Sequence, residues 1–216
     1  MLSNKEMSEE KTPVNIKDAD KFHEKIKRLG SFPKGERPQA YQEYYLNGQW
    51  HNAERQIVNR STVLQFTPKA GETVIELGCQ TGGFLQHAYL CGVRTLLGID
   101  YDKDYIQLAK EMNTRNAMNI DFQVGDITKE ALWTQIKQKY PVIHHLLLLS
   151  LGKHIGENKL LSIIDKLQAK RTYIETNAYF GPVEKAPYYK AISARGGRLI
   201  GKTNDRNVRL VYLIEK

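Results

Sequence analysis

From residue 72 to the C-terminus, short apolar runs alternate with stretches whose apolar residues recur at helical spacing. Compact apolar runs suit buried strands, and recurrence three and four residues apart suits helices packed by one face. The runs Thr73–Leu77, Thr95–Asp100, Ile120–Val124, His144–Leu149, Thr172–Thr176, Arg198–Lys202 and Val208–Ile214 predict seven strands. Helices are expected from Phe84 through Tyr89 and over Lys103–Asn116, Thr128–Lys139, Gly156–Ala169 and Val183–Ala194. The fourth strand is almost wholly apolar, which fits a strand covered on both faces. No helix separates the last two strands, and Asn204 to Arg206 suit a hairpin turn between them. The alternation therefore predicts an α/β, doubly wound, mostly parallel seven-stranded sheet with an antiparallel C-terminal hairpin strand.

Upstream the pattern changes. Residues 1–20 lack apolar periodicity and read as a disordered tail. Residues 21–71 read as an N-terminal helical extension or lid, and residues 72–216 as the main domain. Within the extension a short helix over Asp20–Leu29 ends at Gly30, and residues 31–40 hold the prolines and glycine of a loop. An aromatic stretch follows with Tyr41, Tyr44, Tyr45 and Trp50, then a helix from Ala53 that turns Ile57, Val58, Val63 and Leu64 inward.

In doubly wound sheets ligands bind at the carboxyl ends of the strands, near the reversal of strand order. The first strand runs into Glu76-Leu77-Gly78-Cys79-Gln80-Thr81-Gly82-Gly83, where glycines permit a sharp turn and close backbone approach. A glycine turn that cradles a pyrophosphate keeps its N–H groups free for an anion. Glu76 places negative charge there instead, which suits a cationic ligand. Asp100 closes the second strand, where a carboxylate accepts from both hydroxyls of a ribose. Tyr101 beside it offers an aromatic face. After the third strand, Asp126 is placed to accept from an adenine amino group, with Ile127 packing on the ring. Cys79 within the loop reads as a space-filling thiol.

The segments VIELGCQTGGF, LLGIDYD and FQVGDIT together resemble the first three motifs of class I S-adenosylmethionine (SAM)-dependent methyltransferases, whose fold is a Rossmann-like seven-stranded sheet. The resemblance covers residues 72–216 and implies SAM as cofactor, with Gly78, Gly82 and Gly83 in its loop, Asp100 on the ribose and Asp126 on the adenine. Gln80 stands where many members carry glycine. Ser150, at the end of the fourth strand, joins the expected cofactor residues.

Strands four and five then face the sulfonium, so their ends are the places to seek a base. His154 follows the fourth strand, whereas His144 and His145 sit at its opposite end. Glu175 closes the fifth, either as an acid facing the cleft, where burial raises its pKa, or as a satisfied acid paired with a nearby cation. His154 and Glu175 are the catalytic candidates. A weaker resemblance links LLSLGKHIG, YIETNAYFG and YYLNGQWHNAERQIVNR to the tRNA wobble-uridine (carboxy)methyltransferase-like group. It implies that Tyr45, Trp50 and Arg60, together with Tyr44, line the substrate entrance.

Charge narrows the acceptor less than the motifs narrow the cofactor. The net charge of +8 lies mostly in residues 151–216, where 13 basic against 6 acidic side chains leave +7. That bias keeps an RNA acceptor beside a small-molecule one. A non-catalytic SAM-binding protein is the third reading. Two cysteines without metal or disulfide spacing point to a reducing cytoplasm, and no apolar run is long enough for membrane insertion. The Pro-Pro-aromatic signature of exocyclic-amine methyltransferases and the Pro-Cys of cytosine C5 enzymes are absent.

Overall fold

The computed structural model describes residues 16–29, 40–186, 188–203 and 207–216. An N-terminal helix α1 (Ile16–Leu29) is followed by a hairpin, β1 (Tyr44–Leu46) and β2 (Gln49–His51), and by helix α2 (Ile57–Leu64). The main sheet begins with β3 (Thr73–Leu77), α3 (Gly83–Leu90), β4 (Thr95–Asp100), α4 (Lys103–Arg115), β5 (Asp121–Val124) and α5 (Glu130–Lys139). Its second half comprises β6 (His145–Leu149), α6 (Gly152–Ile155), α7 (Glu157–Leu167), β7 (Arg171–Glu175), α8 (Tyr189–Ser193), β8 (Arg198–Thr203) and β9 (Arg209–Glu215).

The seven strands lie in the order β5-β4-β3-β6-β7-β9-β8. The first five are parallel, and β9 runs antiparallel between β7 and β8. This is the expected Rossmann-like sheet. Successive strand residues point to opposite faces, and both faces are buried. Ile75, Leu77, Leu97, Leu146, Leu148 and Ile174 pack under α5 and α7, against Trp133, Ile136, Leu160, Ile163 and Leu167. Val74, Leu96, Leu147, Tyr173 and Val211 pack on the other face against Ile57, Phe84, Leu85 and Ile106. Strand order reverses between β3 and β6, and the carboxyl ends at such a reversal are where sheets of this kind form a binding crevice.

His145 lies at the far end of β6, wholly buried, with its ring nitrogens 3.1 Å from the Tyr173 hydroxyl and 2.8 Å from Glu72. It ties the amino ends of the strands together and takes no part in the crevice.

The N-terminal extension departs most from its pattern. Tyr44 to His51 form a hairpin, not a helical approach, with Asn47 and Gly48 both at positive φ (52° and 87°) in its turn. An Asn-Gly pair between β-prone residues is a strong hairpin signal. The following helix starts at Ile57, not Ala53, because Glu54 and Arg55 pair by backbone with residues 40–43. Its first turn is capped from a distance, the Glu43 carboxylate accepting the N–H groups of Ile57 (2.7 Å) and Val58 (3.3 Å). The helix expected over Val183–Ala194 is reduced to a 3₁₀ turn at Val183–Lys185 and the short α8. Pro187 falls between them in the sequence and has no N–H for a helix. The tail, the proline loop up to residue 39 and the hairpin turn at residues 204–206 lie outside the described residues, save that α1 reaches back to Ile16.

Candidate active site

The loop after β3 is fixed by its neighbour strand. Gly78 and Cys79 both donate their N–H to the Ile99 carbonyl of β4, at 2.7 and 3.1 Å. Gln80 and Gly82 take left-handed backbone, with φ of 51° and 78°. At Gly82 a side chain would run into the Phe122 ring, so only hydrogen fits both the backbone and the space. A Cβ on Gly83 would lie 2.7 Å from the Glu43 carbonyl oxygen, because residues 42–43 sit directly on the first turn of α3.

Glu76, Asp100 and Asp126 come from three adjacent strands, near or just beyond their carboxyl ends. Asp100 is buried, and its two oxygens accept the N–H groups of Gln80 and Asp102, each at 2.9 Å. Burial pushes its pKa up against those hydrogen bonds. Glu76 is 3% exposed, with burial raising its pKa to about 8, opposed by Arg60 and reinforced by Asp100. Burial also carries the Cys79 thiol well above its usual range, which removes it from nucleophilic work.

Asp126 is exposed and accepts from the Thr128 N–H and hydroxyl at 2.9 and 2.6 Å. Those bonds hold its carboxyl below the ordinary value. Tyr101 is 80% exposed, so its ring faces open solvent at this end of the sheet. Ile127, expected to pack on a ligand ring, is instead buried in the core with Trp133, which donates its indole N–H to the Ile127 carbonyl at 2.8 Å.

Beyond β6 and β7 the chain assembles a buried ionic network. The Glu175 carboxylate accepts from Arg55 (2.7 Å), Arg60 (3.0 and 3.3 Å), Thr203 (3.0 Å) and Ser150 (2.7 Å). Arg55 and Arg60 are nearly as buried as the carboxylate itself. Burial opposes ionisation of Glu175, but the guanidiniums of Arg60 and Arg55 prevail and hold it far below the carboxylate range. Of the two readings of Glu175 the cation-paired one holds, and a cation-saturated acid cannot exchange a proton near neutrality. Ser150, at φ 61°, also belongs to this network, its hydroxyl meeting Arg209 as well as Glu175. His154 lies exposed on the single-turn α6, past the end of β6.

A family model for a methyltransferase domain matches residues 68–177, half of the chain. The chain belongs to this methyltransferase family. Among solved structures it resembles the bifunctional kinase-methyltransferase WbdD, at TM-score 0.64 and 20% identity over 83% of this chain and 44% of that one. EvdMO1 gives 0.55 and 15% identity over 80% of this chain and 43% of its own. The PH0226 protein of Pyrococcus horikoshii OT3 gives 0.53 and 13% identity over 73% and 90%. At these identities the likenesses speak to fold. The methyltransferase spans less than half the length of WbdD and of EvdMO1. No curated protein matches its sequence. SAM is the cofactor that the motifs after β3, β4 and β5 imply for it.

The methyltransferase's loop fits that cofactor chemically. Glu76 Oε2 and Gln80 Oε1 are both buried and accept no hydrogen bond. Each such acceptor costs free energy until a donor reaches it, and the ammonium, hydroxyl and amino groups of SAM are donors. The sequence-expected substrate entrance is redistributed, however. Tyr45 and Trp50 pack edge to face, and Trp50 leans on His87 of α3. The Tyr45 N–H bonds Gln86 and its carbonyl bonds Asn116 at the end of α4, on the flank of the domain away from the crevice. Arg60 is interior, over the Phe84 ring. Tyr41, Arg55 and Arg209 stand together at the ends of β6, β7 and β9, a grouping that sequence reasoning missed. Tyr41 was visible only as one aromatic among several. Arg55 meets Glu175 across 120 residues, a pairing with no local signal.

Proposed function

We propose that this methyltransferase moves a methyl group from SAM to an oxygen or nitrogen of a small-molecule acceptor. The observation that carries the reading is enclosure. Residues 40–43 and Arg55 of the N-terminal segment pack over the ends of β6, β7 and β9, so the polar side chains there are buried and form no open basic track. The bound cofactor supplies the electrophilic methyl on its sulfonium. The protein then has to align an acceptor with it and keep water out. Asp100 takes the ribose hydroxyls on the lone pairs its two backbone bonds leave free. Glu76 and Gln80 receive the donors at the cationic end, and Asp126 receives the adenine amino group. Residues 40–60 act as a cover over the 72–216 domain. His154, exposed at the rim, is the remaining candidate base; Glu175 is assigned to positioning.

Replacing Asp100 with Ala is expected to weaken SAM binding by roughly 1–3 kcal/mol, the usual cost of removing hydrogen bonds to a buried polar group. Isothermal titration checks this, and unchanged affinity would discard the ribose assignment. The acceptor class is tested by incubating the protein with methyl-labelled SAM and a cell extract, then separating RNA, protein and metabolites. Label in the metabolite fraction supports the reading; label in RNA refutes it.

The RNA alternative rests on the basic C-terminal third, and the structure weakens that support. Arg195 forms a paired bridge to Asp165 (2.6 and 2.8 Å), while Arg171 and Arg198 both reach Glu215. Arg209 is buried. Cations spent on neighbouring carboxylates leave less of a stripe for a phosphate backbone. Among the described residues no helix is long and apolar enough to cross a membrane, and no cluster of His, Cys, Asp or Glu could hold a metal ion.

A further inference from the structure

Arg209 opens β9 at the carboxyl end of the sheet, 7% exposed, between Ser150, Tyr41 and Glu175. Among the described residues its hydrogen-bond partners are two neutral hydroxyls, Ser150 Oγ and Tyr41 Oη (3.3 Å). Glu175 comes no nearer than 3.9 Å, and both its oxygens already receive Arg55, Arg60, Thr203 and Ser150. The Nε of Arg209 is buried and meets no acceptor among the described residues. A guanidinium taken out of water without its own carboxylate is costly, and cations kept this way mark sites where a ligand anion completes the charge.

A second observation points the same way. Burial works to raise the pKa of the Tyr41 hydroxyl, yet Arg55 and Arg209 overcome it and leave the phenol below its usual value. The ground around Tyr41 is thus electropositive, and it lies beside the carboxyl ends of β6 and β7. We infer that Arg209, with the Tyr41 and Ser150 hydroxyls, binds an oxyanion (a carboxylate or phosphate group) carried by the small-molecule acceptor. This rests on the methyl-transfer reading above and narrows its substrate class. A negative group here also offsets the positive charge that the cofactor brings. The site is enclosed, which suits one terminal anion; a nucleic-acid backbone is held by exposed rows of Lys and Arg.

The experiment titrates protein saturated with S-adenosylhomocysteine with inorganic phosphate or, separately, acetate, at constant ionic strength balanced by chloride. One of the two anions is expected to bind with a one-to-one heat. Arg209→Gln should weaken it roughly tenfold or more, the scale of a lost charge-assisted hydrogen bond, and Arg209→Lys should weaken it less. Lys153→Gln, an exposed neighbour, serves as the unaffected control. Phosphate binding alone assigns a phosphate-bearing acceptor, and acetate binding alone a carboxylate. If wild-type protein binds the nucleoside but neither anion, the inference fails while the methyltransferase reading stands; if it binds no nucleoside, that reading fails first. Binding that survives Arg209→Gln unchanged, in a variant that still takes the nucleoside, overturns the site. Displacement of the anion by bulk tRNA overturns the small-molecule acceptor.

Discussion

Glu175→Ala is expected to destabilise the protein by roughly 3–5 kcal/mol, the range for breaking a buried ion pair from one side. The side chain is wholly buried and bonds two guanidiniums that are themselves 2% and 3% exposed. Removing it strands those charges beside the sheet, where water cannot replace the carboxylate. Against a typical total stability of about 5–15 kcal/mol, that loss leaves a marginal protein. Denaturant unfolding followed by circular dichroism measures it. Glu175→Gln keeps the shape and one acceptor oxygen, at the cost of the charge and of an N–H₂ facing other donors, and should lose less than alanine. The carboxyl pKa is depressed in the fold, so its contribution is complete above the unfolded carboxylate value and disappears only as pH falls through the depressed one. An alanine variant as stable as wild type would show that the network contributes specificity without stability.

The second large effect concerns pH and the cofactor. Glu76 carries a pKa of about 8 in the unliganded protein, so most molecules hold it protonated at pH 7. A cationic ligand favours the carboxylate, and binding must therefore release a proton. The apparent affinity for SAM should rise between pH 6 and pH 8 by up to about tenfold per unit, then level off above the free-protein value. Titrations in buffers of different ionisation enthalpy read the proton directly. Glu76→Gln should bind more weakly and lose the slope. A flat profile in the wild type would place Glu76 outside the cofactor's reach, as an anchor of the loop alone.

The two effects share a cause. Glu76 and Glu175 occupy ends of strands in one sheet, and both are desolvated. Two guanidiniums in hydrogen-bond contact make one a permanent anion. With only the more remote influence of Arg60, the other stays neutral until a cation arrives. Burial alone predicts a raised pKa for both, and only the partners separate them.

Local information in the chain was enough for the sheet and the cofactor loop. Apolar runs of strand length, separated by helical periodicity, determine parallel strands through rules that depend on neighbours in sequence. The β3 and β4 boundaries follow directly from TVIEL and TLLGID. Glycines and acids at consecutive strand ends lie within a few residues of one another in sequence, so the placement of Glu76, Gly78, Gly82, Asp100 and Asp126 at adjacent strand ends was legible. The hairpin of β1 and β2 was legible too, in Asn47-Gly48, but the aromatic residues around that pair hid it.

The buried network at the ends of β6, β7 and β9 was decided by tertiary structure alone. Its members, Tyr41, Arg55, Arg60, Ser150, Glu175, Thr203 and Arg209, come from separate parts of the chain, and none belongs to a periodic pattern. Whether an acid is a base or a structural anion depends on which cations reach it through space. That is why Glu175 read as a candidate base in the sequence and stands in the fold as the anchor of two arginines. Coulomb energy follows distance in space, and a linear sequence records distance only along the chain.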